Sequence, residues 1–94
     1  MASKALFPLG DTVSTPGALQ VLRAANTNPA DLLNRHGTGD WGELGDEDKR
    51  SNNMAVTTDE RILSAYTVGT DSTKIWIITE ADRSSTTLLL PEEY

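Results

Sequence analysis

The chain has no cysteine, one histidine, five aromatic residues and eight basic residues against 14 acidic ones among its 94. Without cysteine there is no disulfide framework, no thiolate metal site and no thiol nucleophile. A single histidine with no HExxH pattern also argues against a histidine-based zinc site, and no metal or cofactor is expected. The formal charge of −6 sets the surface against polyanions at long range, which disfavours direct nucleic-acid binding. Long apolar runs are missing too. The longest, Ile75-Trp76-Ile77-Ile78 and Leu88-Leu89-Leu90, fall far short of the roughly 20 residues that cross a bilayer. Pro8 interrupts the start of the chain before the apolar core of a leader develops. These features point to a cytoplasmic protein with no membrane contact.

What is present suffices for one thin core. Apolar residues make up 37 % of the chain, and residues 1–94 are expected to form a single α+β domain. Thr15-Pro16-Gly17 reads as a helix opening, with Thr15 as N-cap and Pro16 at the first helical position, where its missing donor costs nothing. Ala18, Val21, Leu22 and Ala25 then form an apolar stripe at helical spacing, widened by Leu19. Asn28-Pro29 repeats the signal for a second helix to about His36, closed by Gly37. Residues 37–45 hold four glycines around Trp41 and predict a shaped loop. Asp46-Glu47-Asp48 suits a helix N-terminus, and a third helix to about Val56 is expected, exposed along its first two turns.

The second half alternates. Residues 61–68, 74–79 and 85–90 predict three sequential strands joined by Gly69-Thr70-Asp71-Ser72 and by the turn at residues 80–84. The expected fold is therefore two or three short N-terminal helices packed on a three-stranded antiparallel β-meander. Ile62, Tyr66, Ile75 and Ile77 fall on one face of that sheet, and Leu63, Trp76, Ile78 and Leu89 on the other. Both faces carry apolar side chains, so a homodimer through the uncovered face is one reading.

Four groups of residues could carry chemistry. His36 stands where a helix should end, a position that favours an imidazolium through the helix dipole and needs no catalytic explanation. Trp41, flanked by Gly39, Asp40 and Gly42, is either a binding anchor or the lid of a small core. Asp40, Glu43, Asp46, Glu47 and Asp48 place five carboxylates in nine residues, without the EF-hand pattern. They form either a solvated helix start or a surface that steers toward a basic partner. Glu80 and Arg83, with His36, could serve as base, phosphate clamp and acid in a small ribonuclease-like enzyme. The same residues also make an ordinary turn, with Asp82 and neighbouring hydroxyls bonding local amides.

Three stretches carry a resemblance. They are Leu9-Gly10-Asp11-Thr12-Val13-Ser14-Thr15-Pro16-Gly17-Ala18-Leu19, the run from Leu33 through Arg35-His36 to Gly39-Asp40-Trp41-Gly42 and Glu47-Asp48-Lys49, and the stretch from Ser64-Ala65-Tyr66 through Ile75–Thr87 to Leu89-Leu90-Pro91-Glu92-Glu93-Tyr94. Together they resemble a family of small uncharacterised proteins carried by bacterial plasmids, integrative elements and phages. Some members bear the label plasmid-related protein or type I restriction methyltransferase subunit. The latter label conflicts with these residues, because Asn28-Pro29 is followed by Ala30-Asp31 and no glycine-rich cofactor loop exists. The resemblance implies a setting in mobile DNA and transfers no catalytic residues. The leading expectation is a non-enzymatic acidic protein that binds, and inhibits, a host defence protein (restriction or CRISPR) or a nucleic-acid-handling protein. Trp41 would anchor that contact and Asp40, Glu43, Asp46, Glu47 and Asp48 would steer it. A ribonuclease-like enzyme and a structural or regulatory homodimer subunit are the alternatives.

Overall fold

The computed structural model describes residues 5–94. In chain order it contains β1 (Asp11–Ser14), α1 (Pro16–Ala24), α2 (Pro29–Gly37), α3 (Asp46–Thr58), β2 (Ile62–Val68), β3 (Thr73–Thr79) and β4 (Ser85–Leu89), then a 3-10 turn at Pro91–Glu93. The α+β class is as expected, but the sheet is larger than a meander. β2, β3 and β4 pair antiparallel, and β1 adds a fourth strand parallel to β4, giving the order β1-β4-β3-β2. Not all helices precede the strands, because β1 comes before α1. β1 has no periodic signature of its own, because Asp11, Thr12 and Val13 are all exposed and burial imposes no alternation on them. What holds β1 is backbone pairing along β4, which continues past both its ends where Asp11 and Thr15 donate their N–H groups to Ser84 and Leu88.

Local chemistry accounts for the helices. The Thr15 side chain accepts from the Ala18 N–H at 3.1 Å, and Asn28 from the Ala30 N–H at 3.0 Å. Each cap is followed by proline at the first helical position. Gly37 belongs to α2 instead of closing it. Thr38 takes the C-cap position, and its hydroxyl donates to the Asn34 and Arg35 carbonyls. α3 extends to Thr58, past the expected Val56, and stops at Asp59 in the left-handed region.

One sheet face carries the core. Ile62, Ser64, Tyr66 and Val68 of β2, Ile75, Ile77 and Thr79 of β3, and Thr86 and Leu88 of β4 are buried there. At one end Ala18, Leu22 and Leu32 from α1 and α2 pack on Tyr66, Val68, Ile75, Ile77 and Leu88. At the other end Phe7, Trp41 and Ala55 pack on Ile62. The opposite, outer face bears Leu63, Ala65, Trp76, Ile78 and Leu89; Ala65, Ile78 and Leu89 are buried, Leu63 and Trp76 are half-buried, and Tyr94 packs against Trp76.

The β2 edge is closed by the glycine loop and α3. Glu43 donates its N–H to the Ala65 carbonyl at 2.7 Å, and Ala65 donates to the Trp41 carbonyl at 3.2 Å. Asn52 then serves Leu63 twice, donating to its carbonyl at 2.7 Å and accepting from its N–H. An edge that would otherwise offer free backbone groups is thereby satisfied. Gly42 makes the approach possible. Its φ is +75°, and a Cβ there would overlap the Ala65 carbonyl oxygen.

Candidate functional site

The ends of α2, β2, β3 and β4 bring four polar side chains into one buried seam between the two apolar clusters. His36 is 0 % exposed; its Nδ1 lies 2.5 Å from Ser64 Oγ and its Nε2 2.9 Å from Thr79 Oγ1. Thr79 Oγ1 is 2.7 Å from Thr86 Oγ1, which donates to the Leu9 carbonyl at 2.7 Å. Proton counting fixes every direction in this chain. Thr86 spends its one proton on Leu9, so Thr79 must donate to Thr86. Thr79 is then an acceptor for His36, which therefore carries its proton on Nε2. Nδ1 is left as acceptor for the Ser64 hydroxyl. The seam is fully satisfied with a neutral imidazole, and burial pushes the His36 pKa down to about 4.

That arrangement corrects the picture of His36 as an imidazolium at a helix end. Both ring nitrogens are engaged and the ring is enclosed by Phe7 and Trp41, with centroids at 5.4 and 5.9 Å. Glu80 and Arg83 do not meet it in an open site. Glu80 pairs with Arg61 at 3.2 Å. Arg83 donates to the carbonyls of Ala55, Glu60 and Glu80, which fastens the end of α3 to the turn after β3. This turn holds an asparagine-like Asx contact as well, since Ser84 N–H donates to Asp82 Oδ1 at 3.0 Å.

Trp41 is likewise core. Its side chain stacks on Phe7, its Nε1 donates to Asn53 Oδ1 at 2.9 Å, and 3 % of it is exposed. The expected exposed anchor is therefore absent at this position, because an undersized core uses the indole for itself. Asp40 also has internal work. It pairs with Arg35 at 2.7 Å and accepts from the Gly42 N–H, and these contacts hold its carboxyl below the usual carboxylate range. Arg35 in turn lies over the Tyr66 ring at 4.5 Å. Tyr66 donates its hydroxyl to the Asp40 carbonyl, and burial pushes its pKa up to about 12.

The remaining carboxylates differ. Glu43, Asp46, Glu47 and Asp48 are exposed, and among the described residues none of them forms an ion pair. Glu43, whose carboxylate accepts from the Thr67 hydroxyl, and Asp48 line a groove of about 410 Å³ between α3 and the outer sheet face, together with Leu44, Leu63, Ala65, Trp76, Ser51, Asn52 and Lys74. Trp76 is the aromatic of this groove, and no local motif in the sequence marks it as an anchor. The available signal was its place opposite Ile75 and Ile77 in the alternation of β3. Among the described residues no cluster of three or more His, Asp or Glu is arranged to hold a metal ion. No helix there is long and apolar enough to cross a membrane. Comparisons with protein-family models, curated proteins and solved structures found no match.

Proposed function

We propose that the chain is a small acidic interaction protein of a mobile genetic element, acting in the cytoplasm on a host defence or nucleic-acid-handling protein through that protein's basic surface. The observation that carries this reading is the run of exposed carboxylates at Glu43, Asp46, Glu47 and Asp48, none in an ion pair among the described residues and only Glu43 held by a hydroxyl, that of Thr67, beside an apolar groove. Asp46, Glu47 and Asp48 favour the start of α3 through its dipole, yet that role is worth only about 0.3–1 kcal/mol each and explains neither Glu43 nor the groove. Like charges concentrated on one side speed encounter with a cationic surface and suppress wrong partners. The setting comes from the resemblance to plasmid-, integrative-element- and phage-borne proteins. Inhibition follows if the occupied surface is the one by which the host protein holds its own polyanion.

A direct test is plasmid transformation into cells carrying a restriction or CRISPR defence. Expression of the chain should raise the efficiency, and a variant with Glu43→Lys, Asp46→Lys, Glu47→Lys and Asp48→Lys should not. Equal protection by that variant, shown to be folded and equally abundant, would sink the reading.

A further inference from the structure

We infer that the groove between α3 and the outer sheet face receives a cationic protein segment, with one apolar side chain seated on Trp76 and flanking arginine or lysine residues held at the rim. The inference rests on the acidic-surface reading and names the place and chemistry of the contact. Leu63, Ala65 and Trp76 form the floor, and Leu44 and the side of α3 form the wall. Three differently spaced features then agree. The volume of about 410 Å³ suits a large side chain with part of its backbone. The rim carries Glu43 and Asp48 against the single cation Lys74, so its local charge is negative. Trp76, half-buried, meets Tyr94 in a T-shaped contact with ring centroids 5.8 Å apart, and Arg61 fixes Tyr94 by donating to its hydroxyl at 2.7 Å. A preset indole offers both apolar area and a π-face for a guanidinium.

Charge selects among the possible occupants. A second copy of the chain would bring another −6 and the same acidic rim. Nucleic acid and anionic lipid meet the same repulsion. A segment that is both basic and apolar meets none.

The blocked tripeptide acetyl-Arg-Leu-Arg-amide is a defined probe, read by amide and indole NMR shifts of the ¹⁵N-labelled chain. Shifts should map to Leu44, Leu63, Ala65 and the Trp76 indole. Affinity should fall about fivefold in Glu43→Gln with Asp48→Asn, as expected for losing two exposed charge contacts, and vanish in Trp76→Ala. Shifts confined to Asp46 and Glu47 would overturn the groove while leaving the acidic-surface reading intact. Equal binding of acetyl-Glu-Leu-Glu-amide would overturn the charge argument under both. No shifts with the arginine peptide, or a dimer that Trp76→Ala dissociates, would overturn the cationic occupant.

Discussion

The two tryptophans of this chain sit in regions whose roles are the reverse of their surroundings in the sequence. Trp41 lies in a loop of glycines and carboxylates and is buried, its nitrogen paired with Asn53. Trp76 lies in the most apolar strand and is only half-buried, on the outer face beside Tyr94. The difference teaches that a small sheet with three short helices covers one face with helices and loops, and leaves the other covered only in part, with Leu63 and Trp76 reached by solvent while Ala65, Ile78 and Leu89 are buried. It closes the first face by recruiting whatever aromatic the loops can bring.

Truncating each indole tests that comparison most severely. Trp41→Ala should cost about 3–5 kcal/mol in urea unfolding, a large part of the stability of a domain this size. Trp76→Ala should cost less, about 1–2 kcal/mol, since its ring is only partly buried. Equal costs would break the contrast.

Next in size is the seam beneath Trp41. The folded-state pKa of His36 is lowered to about 4 from an ordinary 6.5, so the unfolded chain binds more protons between those values. Its contribution to stability is complete above pH 6.5 and is lost as the pH falls toward 4, at about 1.4 kcal/mol per pH unit. His36→Gln keeps one donor and one acceptor for Thr79 and Ser64, and should flatten that slope while costing some stability throughout. A slope unchanged in the variant would show that the seam is not its source.

Arg83→Ala is a smaller perturbation of the same region. It removes the donors to the Ala55, Glu60 and Glu80 carbonyls and the cation facing Phe7 at 5.4 Å. A loss of about 1–3 kcal/mol is expected in thermal unfolding, with protection of α3 amides falling first. The open face should stay unaffected. Smallest of all, Glu43→Gln and Asp48→Asn should move stability by less than about 0.5 kcal/mol, leaving their effect to binding.

How much of this was legible follows from where each residue's partners lie. α1 and α2 were readable because Thr15-Pro16 and Asn28-Pro29 solve a local problem with neighbouring residues. β2, β3 and β4 were readable because one buried face imposes a period of two. β1 was not, since its reason to exist is the unpaired edge of β4 and not its own side chains. The burial of Trp41 depends on Gly42 touching Ala65 and on Asn53, and neither contact leaves a periodic trace. The seam left a fainter one. Ser64, Thr79 and Thr86 are polar residues at positions where the alternation calls for apolar ones, but His36, the partner of Ser64 and Thr79, is 28 residues from the first and 43 from the second, and Thr86 joins through Thr79. The acidic surface was legible as composition. Which of its members were free was not, because Asp40 is taken by Arg35.

The contrast between the two faces is tested most directly by acrylamide quenching of single-tryptophan proteins. Trp41→Phe reports Trp76 alone, and Trp76→Phe reports Trp41 alone. Trp76 emission should be red-shifted and readily quenched, while Trp41 emission should be blue-shifted and protected until the chain unfolds. Quenching of Trp41 as strong as that of Trp76 would contradict a sealed inner indole and a partly exposed outer one.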